Sequence, residues 1–217
     1  MTHGYSQQAR GPIVGVVLAG GRSSRMGGGD KCLRPLSGKP ILAHIIERLA
    51  PQVSALIINA NDGEERFAAF GLTVVADSVE GHAGPLAGVH AGLAWAKANM
   101  PDARYIATVA GDTPFFPADL VHVLRAESNG SEHAVIVARS GEGVHPVFGL
   151  WPVSVADALE NDLHQGARKV TTWLAEHDAA EVSFPPITIA GRAIDPFFNI
   201  NRPEDLAEAE ALLKMPR

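Results

Sequence analysis

Short apolar runs alternate with helical patterns along most of this chain, and this alternation strongly limits how it can fold. Strands are predicted near residues 13–18, 55–59, 72–75, 105–110, 134–138 and 147–150. Helices are predicted at 40–51, 85–100, from Pro117 onward, at 155–163, at 170–177 and at 203–213. Strands that alternate with helices form a mostly parallel sheet covered on both faces. The predicted class is therefore α/β, with three layers and a twisted, Rossmann-like sheet.

Size and composition suit one domain. The chain has 217 residues, of which 46% are hydrophobic, and this is enough for a sizeable core. We predict a flexible polar segment at 1–12 and a single domain at 13–217. The apolar run from Ile13 is broken by glycine too early for a membrane span, and the lone Cys32 cannot form an internal disulfide. A soluble, cytoplasmic protein is expected, with Cys32 as a small buried side chain.

The segment 16–31 carries the strongest functional signal. An apolar run stops at Gly20-Gly21 and continues into a glycine-rich loop that contains Arg25 and ends at Lys31. Glycines lack Cβ, so several N–H groups can converge on phosphate oxygens, and the two cations add charge-assisted hydrogen bonds. The alternative is a mobile loop without a ligand. We interpret the segment as a nucleoside triphosphate site.

Charge and motif content narrow the chemistry. The chain has a net charge of -6, yet residues 22–39 contain five cations and one acid, which suits a small anionic ligand better than nucleic acid. Neither a P-loop nor the three-glycine dinucleotide fingerprint is present. A zinc ligand set and a Gly-x-Ser-x-Gly elbow are also missing. Phosphoryl chemistry assisted by Mg²⁺ remains.

Polar residues follow several predicted strands. Asp112 follows the strand at 105–110, where a carboxylate is well placed to hold Mg²⁺, although Asp-Thr-Pro could instead cap the next helix. Asn59 and Asp77 end two other strands and could contact a base or ribose, or form ordinary turns. The glycines at 84–92 could place helix amides near a ligand or permit close packing. Aromatic segments at 145–151 and 197–203 could hold a flat heterocycle or belong to the core.

Five motifs follow one another along the chain: Leu18-Ala19-Gly20-Gly21, Arg25-Met26-Gly27-Gly28-Gly29-Asp30-Lys31, Gly84-Pro85-Leu86-Ala87-Gly88, Asp112-Thr113-Pro114 and Phe198-Asn199-Ile200-Asn201-Arg202-Pro203-Glu204. With them the chain resembles the molybdenum cofactor guanylyltransferases, the MobA family of nucleotidyltransferases, from Gly15 onward. One departure is Ala110-Gly111, where many relatives carry Pro-Cys. The carboxylate of Asp112 is retained.

The resemblance implies a nucleotidyltransferase fold and a reaction. GMP would pass from GTP to the terminal phosphate of molybdenum-loaded molybdopterin, giving molybdopterin guanine dinucleotide and pyrophosphate. The cofactor would be Mg²⁺. The expected partners are GTP, molybdopterin, molybdenum-insertion proteins and molybdoenzyme chaperones, with neither nucleic acid nor membrane.

The resemblance also implies roles for individual residues. The implied nucleotide-binding residues are Leu18, Ala19, Gly20, Gly21, Lys31, Asn59, Asp77 and Asp112. Leu18, Ala19 and Gly20 would touch guanine and ribose, Lys31 the phosphates, and Asn59 and Asp77 the nucleoside. Asp112 would bind Mg²⁺ and act in catalysis with Arg25 and Lys31. Asn199 and Asn201 would lie on the pterin side.

Three alternatives stay open at this point. A cytidylyltransferase for the same pterin or a sugar-phosphate nucleotidyltransferase would have the same architecture. The Gly20-Gly21 pair favours guanine by analogy, because cytidylyl relatives tend to have Ala-Gly there. A non-catalytic nucleotide carrier is the third alternative, and the presence of Asp112 argues against it.

Overall fold

A seven-stranded sheet forms the centre of the protein. The computed structural model describes residues 11–20, 30–61, 63–78, 84–128, 134–189 and 191–214. The strands in these ranges are β1 (Ile13–Leu18), β2 (Pro35–Leu36), β3 (Lys39–Pro40), β4 (Ala55–Asn59), β5 (Thr73–Val75), β6 (Tyr105–Ala110), β7 (Ile136–Ser140), β8 (Gly143–Pro152), β9 (Ala180–Ser183), β10 (Ile187–Ile189) and β11 (Arg192–Ile194). The α-helices are α1 (Ile41–Leu49), α2 (Pro85–Asn99), α3 (Leu120–Glu127), α4 (Ala156–His164), α5 (Val170–Glu176) and α6 (Pro203–Lys214). Short 3₁₀ helices lie at Lys31–Leu33, Ala50–Gln52, Glu64–Phe70 and Val153–Val155.

The strand order is β5-β4-β1-β6-β8-β7-β9. β1 lies between β4 and β6 and runs parallel to both, while β8 is antiparallel to both of its neighbours. In register, Leu18 lies opposite Asn59 on one side and Ala110 on the other. The carboxyl ends of three central strands therefore meet at one edge of the sheet. The predicted α/β class with a mostly parallel sheet is confirmed.

Helices cover both faces of this sheet. One core cluster contains buried residues of α1, α3 and α6, and the other contains buried residues of α2, α4 and α5. β1 contributes to both clusters, with Val17 in the first and Val14 and Val16 in the second, all at 0% exposure. A strand that is buried on both faces needs apolar residues without alternation. This explains why β1 reads as a continuous apolar run.

Several element bounds differ from the prediction. Pro117 precedes α3, which begins at Leu120, and Pro40 lies in β3 before α1. β8 is longer than predicted, because it continues past a shift of register at Val137/Ala138 that accommodates an irregular pairing. The hairpins β2-β3 and β10-β11 and the edge strand β9 were not predicted. None of the described helices is long and apolar enough to cross a membrane.

Candidate active site

Backbone hydrogen bonds join three strand ends where the predicted nucleotide-binding residues lie. The amide of Ala19 donates to the carbonyl of Asn59 at 2.9 Å, and the amide of Gly111 donates to the carbonyl of Leu18 at 3.0 Å. These bonds continue the ladder beyond β1 itself. The polar groups that follow β4, β1 and β6 are consequently held at fixed positions along one edge, where open α/β sheets bind ligands.

Lys31 makes the central contact of this edge. It begins the 3₁₀ helix that follows the glycine-rich motif, and its Nζ donates to Asp112 Oδ2 at 2.7 Å. The same Nζ donates to Asn201 Oδ1 at 2.6 Å. The Lys31 and Asp112 side chains are only 18% and 24% exposed, so their charges are partly shielded from water. The structure thus brings together a residue expected to bind phosphate, one expected to bind metal and one expected on the pterin side.

Thr113 contacts and orients the carboxylate oxygen of Asp112 that Lys31 does not bind. Its side chain is 0% exposed, and its hydroxyl lies 3.1 Å from Asp112 Oδ1 and within hydrogen-bond distance of Asn199 Oδ1. The amide of Ile200 also donates to the carbonyl of Asp112 at 2.9 Å. The motif that contains Asn199 and Asn201 is therefore bound directly to the residues that follow β6. Sequence reasoning missed Thr113, because a threonine between Asp and Pro is typical of an ordinary turn.

Asp112 does not cap a helix, since α3 begins only at Leu120. Its two carboxylate oxygens instead face Lys31 and Thr113. In the described parts of the chain no group of three His, Cys, Asp or Glu side chains could hold a metal ion. Mg²⁺ typically uses one or two carboxylates together with substrate phosphates and water. The single carboxylate of Asp112, beside amide and hydroxyl oxygens, is consistent with this type of Mg²⁺ coordination.

Asn59, Asn61 and Asp77 form a second polar cluster, at the ends of β4 and β5. Asn59 Nδ2 donates to Asp77 Oδ1 at 2.9 Å and to the carbonyl of Val75 at 3.1 Å. Asn61 Nδ2 donates to Asp77 Oδ2 at 2.7 Å, and the Asp77 amide donates back to Asn61 Oδ1 at 2.8 Å. Both carboxylate oxygens of Asp77 are used in this way. The cluster therefore fixes the geometry of the turns that follow β4 and β5.

Gly88 lets α2 approach this cluster. A Cβ on Gly88 would collide with Asn59 Oδ1, and a Cβ on Gly92 would lie 2.7 Å from Val16 Cγ2. These two glycines therefore serve close packing between α2 and the sheet, one of the two alternatives for this segment. The absence of a side chain at Gly88 leaves room for Asn59, which is 4% exposed.

Two predicted site residues, Gly21 and Arg25, lie outside the described residues, as does the segment 21–29 that contains them. The described residues that flank this segment are Gly20, which is exposed, and Asp30, which is half-buried. Cys32 is 4% exposed, and burial raises the pKa of its thiol to about 12. The prediction that Cys32 is a small buried side chain is confirmed.

The two aromatic segments belong to the core. Phe148 and Phe197 are nearly fully buried, and His145 stacks on Phe197 with ring centroids 4.3 Å apart. Burial lowers the pKa of His145, because the imidazolium form would lose hydration. Ser140 Oγ hydrogen-bonds both His145 Nε2 and Asp195. This packing braces the segment that leads to Asn199 and Asn201, and it leaves no open stacking surface on Phe148 or Phe197.

The family model that matches this chain and the solved structures with the same fold place it among the nucleotidyltransferases. The fold is similar to the crystal structure of molybdopterin-guanine dinucleotide biosynthesis protein A from Archaeoglobus fulgidus, with a TM-score of 0.70, 24% identity, and 92% and 98% of the two chains covered. It is also similar to Rv0371c from Mycobacterium tuberculosis H37Rv, with a TM-score of 0.67, 22% identity, and 93% and 98% covered. The chain belongs to the family with a MobA-like NTP transferase domain, whose model matches residues 15–180.

The names of similar sequences support this family assignment. A molybdenum cofactor guanylyltransferase of Bradyrhizobium sp. (strain ORS 278) is 48% identical over 204 residues, covering 94% of both chains. A protein of the same name from Mesorhizobium japonicum is 48% identical over 206 residues, covering 94% of this chain and 98% of that protein. The resemblance inferred from the five motifs is confirmed.

Proposed function

We propose that this protein transfers GMP from GTP to the terminal phosphate of molybdenum-loaded molybdopterin, with molybdopterin guanine dinucleotide and pyrophosphate as products. The observation that carries the proposal is the double contact of Lys31. Its ammonium touches Asp112 and Asn201 at once, so the residues assigned to the donor and to the acceptor lie within one side chain of each other. A direct transfer between two bound substrates requires this proximity. The names of the relatives support guanine as the base.

The proposed nucleotide site follows the strand ends. Its proposed residues are Leu18, Ala19, Gly20, Gly21, Lys31, Asn59, Asp77 and Asp112. Leu18 to Gly20 would contact guanine and ribose, with Asn59 and Asp77 supporting the nucleoside. Asn199 and Asn201 are proposed to face the pterin, and the contact of Asn201 with Lys31 supports a position beside the reacting phosphates.

The proposed chemistry needs no general base. The acceptor is a phosphate monoester, which is largely a dianion near neutral pH and can attack the α-phosphorus of GTP directly. Catalysis then consists of aligning the two phosphates and neutralising the charge that develops on the α-phosphate and on the leaving pyrophosphate. We assign the protein's share of that neutralisation to Lys31 and Arg25. Lys31 is already held at the strand edge by two hydrogen bonds.

We propose Asp112 as the residue that holds Mg²⁺. When bound, the ion would supply further positive charge to the triphosphate oxygens. Thr113 keeps one carboxylate oxygen of Asp112 oriented, and Lys31 compensates the charge of the other oxygen. The oxygen donors around Asp112 support a hard cation rather than zinc.

We also propose that residues 13–217 act as one domain in the cytoplasm. One sheet carries both core clusters, which supports a single folding unit, and the lone Cys32 suits a reducing compartment. Molybdenum-insertion proteins and molybdoenzyme chaperones are proposed as the proteins that deliver the acceptor and receive the product.

Pyrophosphate release tests the proposal. The purified protein is incubated with GTP, CTP, ATP or UTP, each with metal-loaded and with metal-free molybdopterin. We expect release with GTP and the metal-loaded acceptor, and loss of release in Asp112→Asn. Preference for CTP would identify a cytidylyltransferase instead. Binding of GTP without pyrophosphate release under any of these conditions would identify a carrier.

A further inference from the structure

Arg66 connects the two ends of the proposed nucleotide site. It lies in the 3₁₀ helix Glu64–Phe70, which follows β4, and its Nη1 lies 2.6 Å from Asp30 Oδ2. Its Nη2 donates to the carbonyl of Asn61 at 3.1 Å, and its Nε donates to the carbonyl of Gly63 at 3.1 Å. All three guanidinium nitrogens thus contact oxygens. A planar guanidinium that is held at three points has a fixed orientation.

On one side, this guanidinium binds the residue next to Lys31. The carbonyl of Asp30 accepts a hydrogen bond from the Leu33 amide at 3.1 Å, which closes the 3₁₀ turn that Lys31 begins. The Asp30 side chain is 14% exposed. Its position therefore determines where the backbone of Lys31 starts, and with it how the ammonium reaches Asp112.

On the other side, the guanidinium binds the nucleoside end of the proposed site. The Asn61 side chain is bonded twice to Asp77, and Asp77 is bonded to Asn59. A continuous path of hydrogen bonds therefore runs from Asp30 through Arg66 and Asn61 to Asp77. This path crosses from the end of the glycine-rich motif to the end of β5.

We infer that Arg66 is a positioning residue that fixes the phosphate-binding end at Lys31 relative to the nucleoside-binding end at Asp77, and thereby sets the affinity for the nucleoside triphosphate. The inference rests on the proposed function, because it concerns the same site. It adds a residue that lies in none of the five sequence motifs.

A structural role for Arg66 and its role at the site can be separated by experiment. The Arg66 side chain is 32% exposed, so water screens part of its ion pair with Asp30, which is 14% exposed. The 3₁₀ helix is anchored instead by Phe67, whose ring is 0% exposed and lies 5.2 Å from the Arg66 guanidinium. Loss of the guanidinium should leave the fold intact and release Asp30 from Asn61.

The test compares Arg66→Met, Arg66→Lys, Asp30→Asn and the double variant Asp30→Asn with Arg66→Met. The control is Arg192→Met, which removes an ion pair with Glu208 at 3.0 Å whose side chains are 53% and 42% exposed. Binding of a fluorescent GTP analogue gives Kd without turnover. Pyrophosphate release gives kcat and separate KM values for GTP and for the acceptor. Thermal melts establish that each variant is folded.

We expect Arg66→Met to raise Kd and KM for GTP about tenfold, as loss of a residue that orients a functional group typically does, with the acceptor KM unchanged. The Kd and KM values of Arg66→Lys for GTP should lie between those of Arg66→Met and the unmodified protein, because an ammonium can reach Asp30 but cannot hold both carbonyls. In the Asp30→Asn background, adding Arg66→Met should change Kd and KM for GTP little further. The control Arg192→Met should have the same Kd and KM values as the unmodified protein.

Equal Kd values for Arg66→Met and the unmodified protein would overturn the inference. So would equal increases in both KM values together with a lower Tm, or an undiminished effect of Arg66→Met in the Asp30→Asn background. If the unmodified protein prefers another triphosphate, guanine specificity fails, and the same ratios are measured with the preferred nucleotide. The two proposals can therefore fail separately.

Discussion

Replacing Thr113 by Val isolates the orientation of the Asp112 carboxylate. Thr113 is 0% exposed, and valine keeps its branched shape while it removes the hydroxyl. That hydroxyl lies 3.1 Å from Asp112 Oδ1 and also contacts Asn199 Oδ1. The hydroxyl has one proton for these two oxygens, so the substitution removes one donated hydrogen bond and changes little else in the packing.

The hydrogen bonds of the Thr113 hydroxyl set the expected loss of stability and of rate. Asn199 is exposed and Asp112 half-buried, so water can replace the lost donor. The cost is then that of one ordinary hydrogen bond, about 0.5–1.5 kcal/mol, and for a chain of this size each kcal/mol lowers Tm by about 2–4 °C. The protein should stay folded at 25 °C. Since partners that orient catalytic groups typically contribute about 10–100-fold in rate, we expect kcat to fall by that range.

The assay is steady-state pyrophosphate release from GTP with metal-loaded molybdopterin, measured over a Mg²⁺ titration. Thr113→Ser serves as the matched control, because it restores the hydroxyl and removes only a methyl group. Its kcat should lie within about threefold of the unmodified protein, as expected for a retained hydrogen bond. A folded Thr113→Val protein with a kcat within about twofold of the unmodified one would refute the reasoning, because one lost hydrogen bond should cost more than that.

Three further predictions follow from the same geometry. Lys31→Met should lower kcat by about 10²–10³ in the pyrophosphate assay, and a loss of less than about tenfold would contradict its role in charge neutralisation. Gly88→Ala should raise KM for GTP because the new Cβ would displace Asn59, whereas Gly141→Ala, with nothing within 4 Å, should not; equal KM values would contradict the packing argument. Cys32 should resist alkylation by iodoacetamide at pH 8 in the native protein, because burial raises its thiol pKa to about 12. Rapid labelling before unfolding, followed by mass spectrometry, would contradict this.

The central strands could be predicted from the sequence because they are buried on both faces. β1, β4 and β6 have the predicted bounds, since each is a short apolar run that stops at a polar residue or glycine. β9 alternates half-buried and exposed residues at the edge of the sheet, and β10 and β11 form a hairpin of three-residue strands. Such short strands carry too few apolar residues to stand out from loops.

The candidate site was predictable only in part. Lys31 and Asp112 follow from local chemistry, as a cation after a glycine-rich loop and a carboxylate after a buried strand. The contact between Lys31 and Asn201 spans 170 positions and depends on the completed sheet. Thr113 lies in one of the five motifs and Arg66 in none, and the roles of both come from the neighbours that the fold brings to them.

The number of N–H donors on the Lys31 ammonium limits how many oxygen atoms it can bind at once. An ammonium has three N–H donors, and Asp112 and Asn201 accept hydrogen bonds from Lys31 Nζ. Phosphate oxygens that approach this nitrogen therefore compete with Asp112 and Asn201 for the same donors. Binding of two phosphate oxygens requires Lys31 to release Asp112 or Asn201, so the first molecule that binds changes the contacts available to the next one at this nitrogen.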